Sequence, residues 1–349
     1  MVEVRVISKK RMILLCPARA SWLDVNPYTI MTESSPGKSK VVRQSLHLKG
    51  FQPEKMEEVI RGGRFEHFIL SRSDCEVWHE RWECGGFSVD AASYSFAAMA
   101  CGVFAKDRIC IGFIRGFTQP TWINGFECGL EAIQIYPPGC EINYRASPGC
   151  AWVAIEFDEA ALQKAAMQRR GREVDLPQGG ACNLLVPRSA RQTLERMVDH
   201  LLHQTTEYPP MTGPILECIV DLLFHSQTGS VETLGKRWRH REALLAKAEL
   251  YLRANLGRPF DGRSLARSVG ATERCIQKHF HEAYGISPGR WARCLALHHT
   301  RKRLLESDHA RFTVDGIAHH LGFHHMGRFA KYYQELFGEY PSATLAKSG

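Results

Sequence analysis

One pattern occurs twice near the C-terminal end of this 349-residue chain, and it constrains the fold more than any other feature. The first copy reads Leu265-Ala266-x-x-Val269-Gly270, then Ile276-x-x-x-Phe280-x-x-x-Tyr284-Gly285-x-x-Pro288. The second copy reads Ile317-Ala318-x-x-Leu321-Gly322, then Phe329-x-x-x-Tyr333-x-x-x-Phe337-Gly338-x-x-Pro341. The first parts lie 52 residues apart (265 to 317) and the second parts 53 (276 to 329), so one residue has been inserted in the turn. Two units of the same structure are expected.

Each copy predicts two helices joined by a tight turn. The apolar pairs lie on one helix face, and the glycine that follows them can adopt the left-handed conformation that ends a helix. In the second part, apolar residues four apart form a buried stripe, and Gly-x-x-Pro ends the helix. The aromatic residues from 322 to 341 are therefore predicted to be core: Phe323, Phe329, Tyr332, Tyr333, Phe337 and Tyr340.

The positive charge is concentrated in the same part of the chain. Residues 240–349 contain 17 Lys and Arg against 10 Asp and Glu, which accounts for +7 of the chain's net charge of +8. A separate basic segment is typical of a nucleic-acid-binding module, because neutralisation of phosphates supplies most non-specific affinity. A solvated, charged helical surface explains the charge equally well when charge is considered alone.

Residues 241–345 resemble the DNA-binding unit of the AraC/XylS family of bacterial transcription regulators, which has two helix-turn-helix motifs joined by a long helix. The matching residues of the second motif are Gly322-Phe323, Phe329, Tyr333, Phe337-Gly338 and Pro341. The connecting helix departs from the family pattern, since Thr300 stands where alanine is usual and Arg303 where leucine is usual. The chain's length and its closing FGEYPSATL also resemble the subgroup that includes the ethanolamine-utilisation regulator.

The resemblance implies that the second helix of each motif enters a major groove of double-stranded DNA, where each base pair shows a distinct donor and acceptor pattern. On the first recognition helix, placed at 271–279, the outward residues are Arg274, Gln277 and Lys278. On the second, the corresponding residues are His325, Met326, Arg328 and Lys331. Arg and Lys suit guanine and Gln suits adenine, whereas the second helix is expected to rely on thymine methyl groups and backbone positioning.

A helix from about 290 to 306 is expected to hold the two motifs about one duplex turn apart, near 34 Å. For Arg301, Lys302 and Arg303 on this helix, both an exposed surface and contact with phosphate remain open. The paired histidines of this region, such as His298-His299, are expected to be surface or phosphate-contacting groups. No metal site is predicted among them, because adjacent helical histidines point in different directions.

The predicted fold class is α+β, with a small N-terminal antiparallel β barrel or sandwich accompanied by helices and an all-α C-terminal domain. Short strands between about 65 and 157 are divided by turn sequences, and residues 189–204 and 212–226 have helical apolar stripes. These two helices either pack on the strands or form a dimer seam. The predicted divisions are a poorly ordered leader (1–45), the β-rich domain (46–226), a linker (227–240) and the DNA-binding domain (241–349).

The N-terminal domain has the size of an effector-binding or dimerisation domain, and no residue is assigned to an effector. Its aromatic residues either line an apolar ligand pocket or belong to the core: Trp78, Trp82, Trp122, Tyr136, Tyr144 and Trp152. A metal-dependent enzyme of the cupin type would need a His-x-His motif on the strands, but the strand region from about 65 to 157 contains only His67 and His79. We therefore predict no catalytic residue, no metal site and no cofactor.

The function predicted from the sequence is that of a cytoplasmic transcription activator whose partners are promoter DNA, RNA polymerase, a possible small-molecule effector and a possible second copy of the chain. No apolar run reaches the ~20 residues that a membrane span requires, so no membrane partner is expected. The alternative is a constitutive or architectural DNA-binding protein whose N-terminal domain serves only for dimerisation. An effector that changes the DNA affinity separates these two hypotheses.

Overall fold

The computed structural model of the protein describes residues 29–33, 41–72, 74–116, 121–124, 126–177, 180–203, 211–227, 236–307 and 312–347. The strands are β1 (Thr29–Glu33), β2 (Val41–Lys49), β3 (Arg64–Phe68), β4 (Glu76–Cys84), β5 (Phe87–Tyr94), β6 (Ala98–Val103), β7 (Ile109–Gly116), β8 (Thr121–Ile123), β9 (Phe126–Cys128), β10 (Ala132–Tyr136), β11 (Glu141–Ala146), β12 (Cys150–Phe157) and β13 (Cys182–Leu185).

The helices follow the strands in the chain, apart from a short 3₁₀ helix at Pro53–Met56. They are α1 (Glu159–Arg170), α2 (Arg188–His203), α3 (Thr212–Gln227), α4 (Lys236–Ala254), α5 (Gly262–Val269), α6 (Glu273–Tyr284), α7 (Pro288–Glu306), α8 (Val314–His320), α9 (Met326–Phe337) and α10 (Pro341–Leu345). The two predicted helices at 189–204 and 212–226 correspond to α2 and α3.

The strands form two antiparallel sheets that face each other as a sandwich. The eight-stranded sheet has the order β1-β2-β4-β5-β12-β7-β10-β13, and the five-stranded sheet has the order β3-β6-β11-β8-β9. Strand β12 shows why a core forms on both sides of the larger sheet: Trp152 and Ala154 face the interior of the sandwich, whereas Val153 and Ile155 face the other way. This alternation follows from the two-residue period of a strand. The predicted α+β class is confirmed, with a sandwich in place of a closed barrel.

Helices α1, α2 and α3 cover the outer face of the eight-stranded sheet. Leu194 and Val198 of α2 and Ile219 of α3 are fully buried in one cluster with Val153 and Ile155 of the sheet. The apolar stripes of α2 and α3 thus pack back on the strands, one of the two alternatives left open by the sequence.

The first boundaries predicted from the sequence require correction. Strand β1 lies inside the segment 1–45 that was expected to be a poorly ordered leader, and β2 begins inside it and pairs with β4 over eight residues. Helix α4 begins at Lys236, inside the predicted linker 227–240. Neither segment has a sustained apolar period in its sequence, so local pattern did not reveal it. Strand β2 forms by pairing with the distant strand β4, and α4 begins with basic residues. Residues 1–28 and 228–235 lie outside the described residues.

The DNA-binding domain packs on the outer face of the five-stranded sheet. Phe68 of β3 and Met99 of β6 belong to one buried cluster with Leu245 of α4, Phe280 of α6 and Trp291 of α7. From one side to the other, the molecule therefore consists of helices α1–α3, the eight-stranded sheet, the sandwich interior, the five-stranded sheet and the helix-turn-helix domain.

None of the described helices is long and apolar enough to cross a membrane. The cysteines of the described residues are all free thiols, and burial raises the pKa of most of them, for example that of Cys101 to about 12. Such thiols behave as small apolar core residues.

Candidate nucleic-acid interface

The first helix-turn-helix motif consists of α5, a turn at Gly270 and α6. Asp261 is the N-cap residue of α5, and its Oδ1 accepts a hydrogen bond from the backbone N–H of Arg263 at 2.9 Å. Gly270 ends α5 with a φ of +71°, a conformation that is strained for residues with a Cβ. Thr272 is the N-cap residue of α6, and its hydroxyl oxygen accepts a hydrogen bond from the N–H of Cys275 at 3.2 Å. These caps fix the start of α6 and therefore which of its residues face outward.

Helix α6 has one buried face and one free face. Ile276 and Phe280 are 1% and 0% exposed, and the Phe280 ring lies edge-on to Trp291 with 6.0 Å between centroids. On the other face, Arg274, Gln277 and Lys278 are all exposed. The three side chains predicted to reach base edges thus lie together on the free face.

The second motif consists of α8, a turn at Gly322 and α9. Phe329 and Tyr333 of α9 are 1% and 0% exposed. The exposed residues on the other face include His325, Arg328 and Lys331. Of the predicted set, Met326 differs, because it is half-buried and packs against the core. The aromatic residues of this segment are not all core either, since Tyr340 is 53% exposed.

The charged groups of the two free faces are only weakly paired. Lys278 Nζ lies 3.8 Å from Glu282 Oε1, and Lys331 Nζ lies 3.9 Å from Glu335 Oε1. Such exposed pairs one helical turn apart contribute about 0.3–0.5 kcal/mol, so phosphate can displace them. Arg274 and Arg328 form no ion pair with any residue in the described part of the chain.

Two glycines join the second motif to the segment that precedes the first. A Cβ at Gly322 would lie 2.9 Å from the carbonyl oxygen of Gly257, and one at Gly257 would lie 2.6 Å from the carbonyl oxygen of His320. Gly257 lies between α4 and α5, so the turn of the second motif contacts the segment that leads into the first motif. Sequence reasoning missed this contact, because a lone glycine after a helix indicates only a helix end.

The connecting helix α7 also deviates from expectation. Arg301 is neither exposed nor free for phosphate: it is 6% exposed, pairs with Glu339, and donates from Nη2 to the carbonyl oxygen of Phe51 at 3.2 Å. Lys302 and Arg303 are exposed. Thr300 is fully buried, and its hydroxyl donates to the carbonyl of Ala296 at 2.8 Å, which satisfies its polar atom within the helix.

His298 of α7 was expected at the surface, but it is buried between the two domains. Its Nε2 lies 2.9 Å from the carbonyl oxygen of Ile69, and its ring contacts Phe51, Phe68 and Phe337. Burial lowers the pKa of His298 to about 3, so the ring is neutral. Within the described residues, no group of three or more His, Cys, Asp or Glu side chains is arranged to hold a metal ion.

The six aromatic residues noted in the N-terminal domain separate into two sets. Tyr136, Tyr144 and Trp152 line a cavity between the two sheets. Trp82 is buried on the other side of the eight-stranded sheet, Trp78 is 38% exposed and stacks on His47, and Arg145 lies over the ring of Trp122. Sequence alone could not separate the two sets, because which side chains of a strand face inward depends on how the two sheets pack together.

Two helix-turn-helix motifs, each with a basic free face, are the arrangement of a DNA-binding domain. Residues 265–347 match the family described as helix-turn-helix domain. This C-terminal part of the chain is similar to the DNA-binding part of AraC/XylS-family transcription regulators. It is 28% identical over 200 residues to the probable thc operon regulatory protein of Rhodococcus erythropolis, a match that covers 55% of this chain and 60% of the relative.

A second relative, the XylDLEGF operon transcriptional activator 1 of Pseudomonas putida, is 32% identical over 97 residues, which cover 28% of this chain and 29% of the relative. Both matches therefore span less than two thirds of the relative's length. Among solved structures, a probable AraC family transcriptional regulator from Rhodopseudomonas palustris is 33% identical, with 30% of this chain and 96% of that chain covered and a TM-score of 0.29. ToxT from Vibrio cholerae is 10% identical, with 82% and 98% covered and a TM-score of 0.29.

Proposed function

We propose that the protein is a sequence-specific transcription activator whose helices α6 and α9 enter two adjacent major grooves of promoter DNA. The N-terminal domain modulates this binding, through a small molecule or through dimerisation. RNA polymerase is the proposed protein partner, in keeping with the description of the P. putida relative as an operon transcriptional activator. The cytoplasm, where promoter DNA is accessible, is the proposed location.

The observation that carries the proposal is the duplication of one arrangement. Each motif buries an aromatic face, Phe280 in the first and Phe329 in the second, and leaves the opposite basic face exposed. The 19-residue helix α7 separates the motifs and is about 28 Å long at 1.5 Å per residue. A spacer of this length suits two grooves that lie one duplex turn, about 34 Å, apart.

The two helices are proposed to contribute differently. Arg274 can bind guanine through two hydrogen bonds and Gln277 can bind adenine in the same way, and each such pair discriminates by about 1–3 kcal/mol. The second motif offers His325 just before α9 and Arg328 and Lys331 on it, and Met326 is half-buried. We therefore assign most of the sequence discrimination to α6 and most of the phosphate positioning to α9.

Selection of bound sequences from a random DNA library with the full-length protein tests the proposal. We expect enrichment of a motif in two parts whose centres lie about ten base pairs apart, with the better-defined part opposite α6. A matched selection with Arg274→Ala should lose preference at one position of that part. Uniform binding without enrichment would instead indicate the architectural DNA-binding protein and would contradict sequence-specific regulation.

A further inference from the structure

Both faces of the five-stranded sheet are buried, and they face different parts of the molecule. On β3, Phe65 and His67 point into the sandwich interior, whereas Phe68 belongs to the cluster that includes the first helix-turn-helix motif. On β6, Ala100 faces the interior and Met99 faces that same cluster. A change inside the sandwich therefore acts on strands that also carry the DNA-binding domain.

The interior contains a cavity of about 50 Å³. The eighteen described residues that line it include no Asp, Glu, Lys or Arg. Its one histidine, His67, is neutral, because burial lowers the His67 pKa to about 4 and a backbone contact with Phe65 opposes this only in part. Such a lining disfavours an ionised ligand, since transfer of a charge into an apolar site without a partner is strongly unfavourable.

Three polar side chains at the cavity have atoms without a hydrogen-bond partner among the described residues: Gln134 Oε1, His67 Nδ1 and Trp152 Nε1. All three residues are more than nine-tenths buried. Gln134 is the clearest case, because its Nε2 donates to Asn183 Oδ1 at 2.9 Å while Oε1 remains unused. The Trp152 N–H is directed toward the Tyr94 hydroxyl but does not reach hydrogen-bond geometry.

Buried polar atoms without partners are rare in folded proteins and call for an explanation, such as a bound group. Here they lie in an otherwise apolar wall. Rotation of both amides of the Gln134–Asn183 pair would present a donor in place of the acceptor, and a hydroxyl group satisfies either arrangement.

We propose that this cavity binds a small uncharged molecule with an apolar body and one hydroxyl or amide group, held by Gln134, and that its occupancy alters DNA binding through the five-stranded sheet. This inference rests on the proposed function of an effector-modulated regulator and assigns its effector site. At about 50 Å³, the cavity holds only a few heavy atoms in the structure described. A ring-sized ligand must therefore move the lining strands outward.

Three contacts carry that movement to the DNA-binding domain. Next to the cavity residue His67, Glu66 accepts a hydrogen bond from Arg253 of α4 at 2.7 Å. Two residues further along the chain, Ile69 is hydrogen-bonded to His298 of α7. Next to the cavity residue Tyr144, the Asn143 amide contacts Glu249 of α4 at 3.4 Å.

The Asn143 contact leads directly to a recognition helix. Glu249 also accepts a hydrogen bond from the hydroxyl of Tyr284, the last residue of α6. The chain of contacts is therefore cavity, β11, α4 and α6. A shift of β11 changes the support of the helix that carries Arg274, Gln277 and Lys278.

The binding step is tested by calorimetry on the full-length protein with three probes of one size: benzyl alcohol, toluene and benzoate. We expect saturable millimolar or tighter binding of benzyl alcohol, about fivefold weaker binding of toluene because it lacks the hydroxyl, and no binding of benzoate. The Trp152 indole N–H resonance, assigned with Trp152→Phe, should shift on addition of benzyl alcohol. Absence of saturable binding by both neutral probes, or binding of benzoate as tight as that of benzyl alcohol, would overturn the proposal.

Two variants separate the site from general destabilisation. Because Gln134→Leu alone leaves Asn183 unpaired, the double variant Gln134→Leu/Asn183→Leu is used, and it should remove the preference for benzyl alcohol over toluene. Ala100→Val fills the cavity and should abolish binding of both probes. Ala91→Val, on the other side of the eight-stranded sheet, is the matched control and should leave binding unchanged. If Ala100→Val binds the probes normally, the site lies elsewhere.

The coupling step is tested with the duplex recovered by sequence selection. Saturating benzyl alcohol should change the DNA affinity at least threefold, in either direction. Asn143→Ala, which removes only the contact with Glu249, should bind benzyl alcohol like the unaltered protein but show less than half of that change. An unchanged DNA affinity in the presence of bound probe refutes the coupling, whereas failure to bind any duplex refutes the proposed function itself.

Discussion

The two helix-turn-helix motifs share one sequence pattern but are held in place differently. In the first, Thr272 caps α6 with a side-chain hydrogen bond, and the turn glycine, Gly270, has open space around it. In the second, His325 precedes α9 without a side-chain cap bond, and the turn glycine, Gly322, is pressed against Gly257. The recognition helix of the first motif thus has a side-chain cap and an open turn, whereas that of the second has no such cap and a turn in close contact with the segment before α5.

This difference extends to the free faces. Helix α6 exposes three polar side chains in the predicted positions, whereas α9 places Met326 partly in the core. The comparison thus teaches that a repeated sequence pattern does not imply the same side chains on the free face of each motif.

The largest expected effect is the loss of a buried aromatic ring. Phe280→Ala and Phe329→Ala should each destabilise their own motif by about 3–5 kcal/mol, because both rings are fully buried. Hydrogen exchange measured on peptides from each motif reports the loss separately. Equal protection in the unaltered protein and either variant would mean that the core face of that helix is assigned wrongly.

The turn glycines should respond unequally. Gly270→Ala should cost about 1–2 kcal/mol, the usual strain of a left-handed residue, because no atom lies within 4 Å of the added methyl group. Gly322→Ala adds a clash with the Gly257 carbonyl oxygen to the same strain, so its loss of stability should exceed about 2 kcal/mol. Urea unfolding of the two variants measures the difference. Equal losses would show that the Gly257–Gly322 contact contributes nothing.

Substitutions on the free faces of α6 and α9 should weaken DNA binding in different ways. Arg274→Ala should weaken binding to the selected duplex by about 1–3 kcal/mol and relax the preference at one base position. Lys331→Ala should weaken binding to all duplexes alike and lower the salt dependence by about one phosphate contact. Affinity measurements on the selected duplex, on single-base variants and at several salt concentrations distinguish the two outcomes. A uniform loss for Arg274→Ala would assign it to phosphate.

The smallest expected effect concerns the helix starts. Thr272→Ala removes the hydroxyl that caps α6 and should cost about 1 kcal/mol. His325→Ala removes no cap bond and should change stability by less than ~0.5 kcal/mol. The two variants are compared by urea unfolding. A loss of stability for His325→Ala as large as that for Thr272→Ala would contradict the conclusion that only α6 of the two recognition helices has a side-chain cap.

Much of the C-terminal domain follows from local sequence. The spacing of Phe329, Tyr333 and Gly338 sets a helix, its buried face and its end, and the structure has all three. The β-rich domain was predictable only as a class, because strand pairing joins distant residues such as those of β2 and β4. Arg301 illustrates the limit of local sequence reasoning. Its position on a basic helix suggests a surface group, yet it is buried, where it pairs with Glu339 and donates to the Phe51 carbonyl oxygen.

The sequence by itself determined that two similar helix-turn-helix motifs exist, which residues form most of their cores and where their exposed basic positions lie. These properties depend on helical periodicity and on glycine, both of which act within a few residues. Only the tertiary structure decided that His67, Gln134 and Trp152 meet at one cavity and that Asn143 reaches α4. Those arrangements depend on which strands pair and which faces turn inward, and such choices are made by long-range packing that no local pattern encodes.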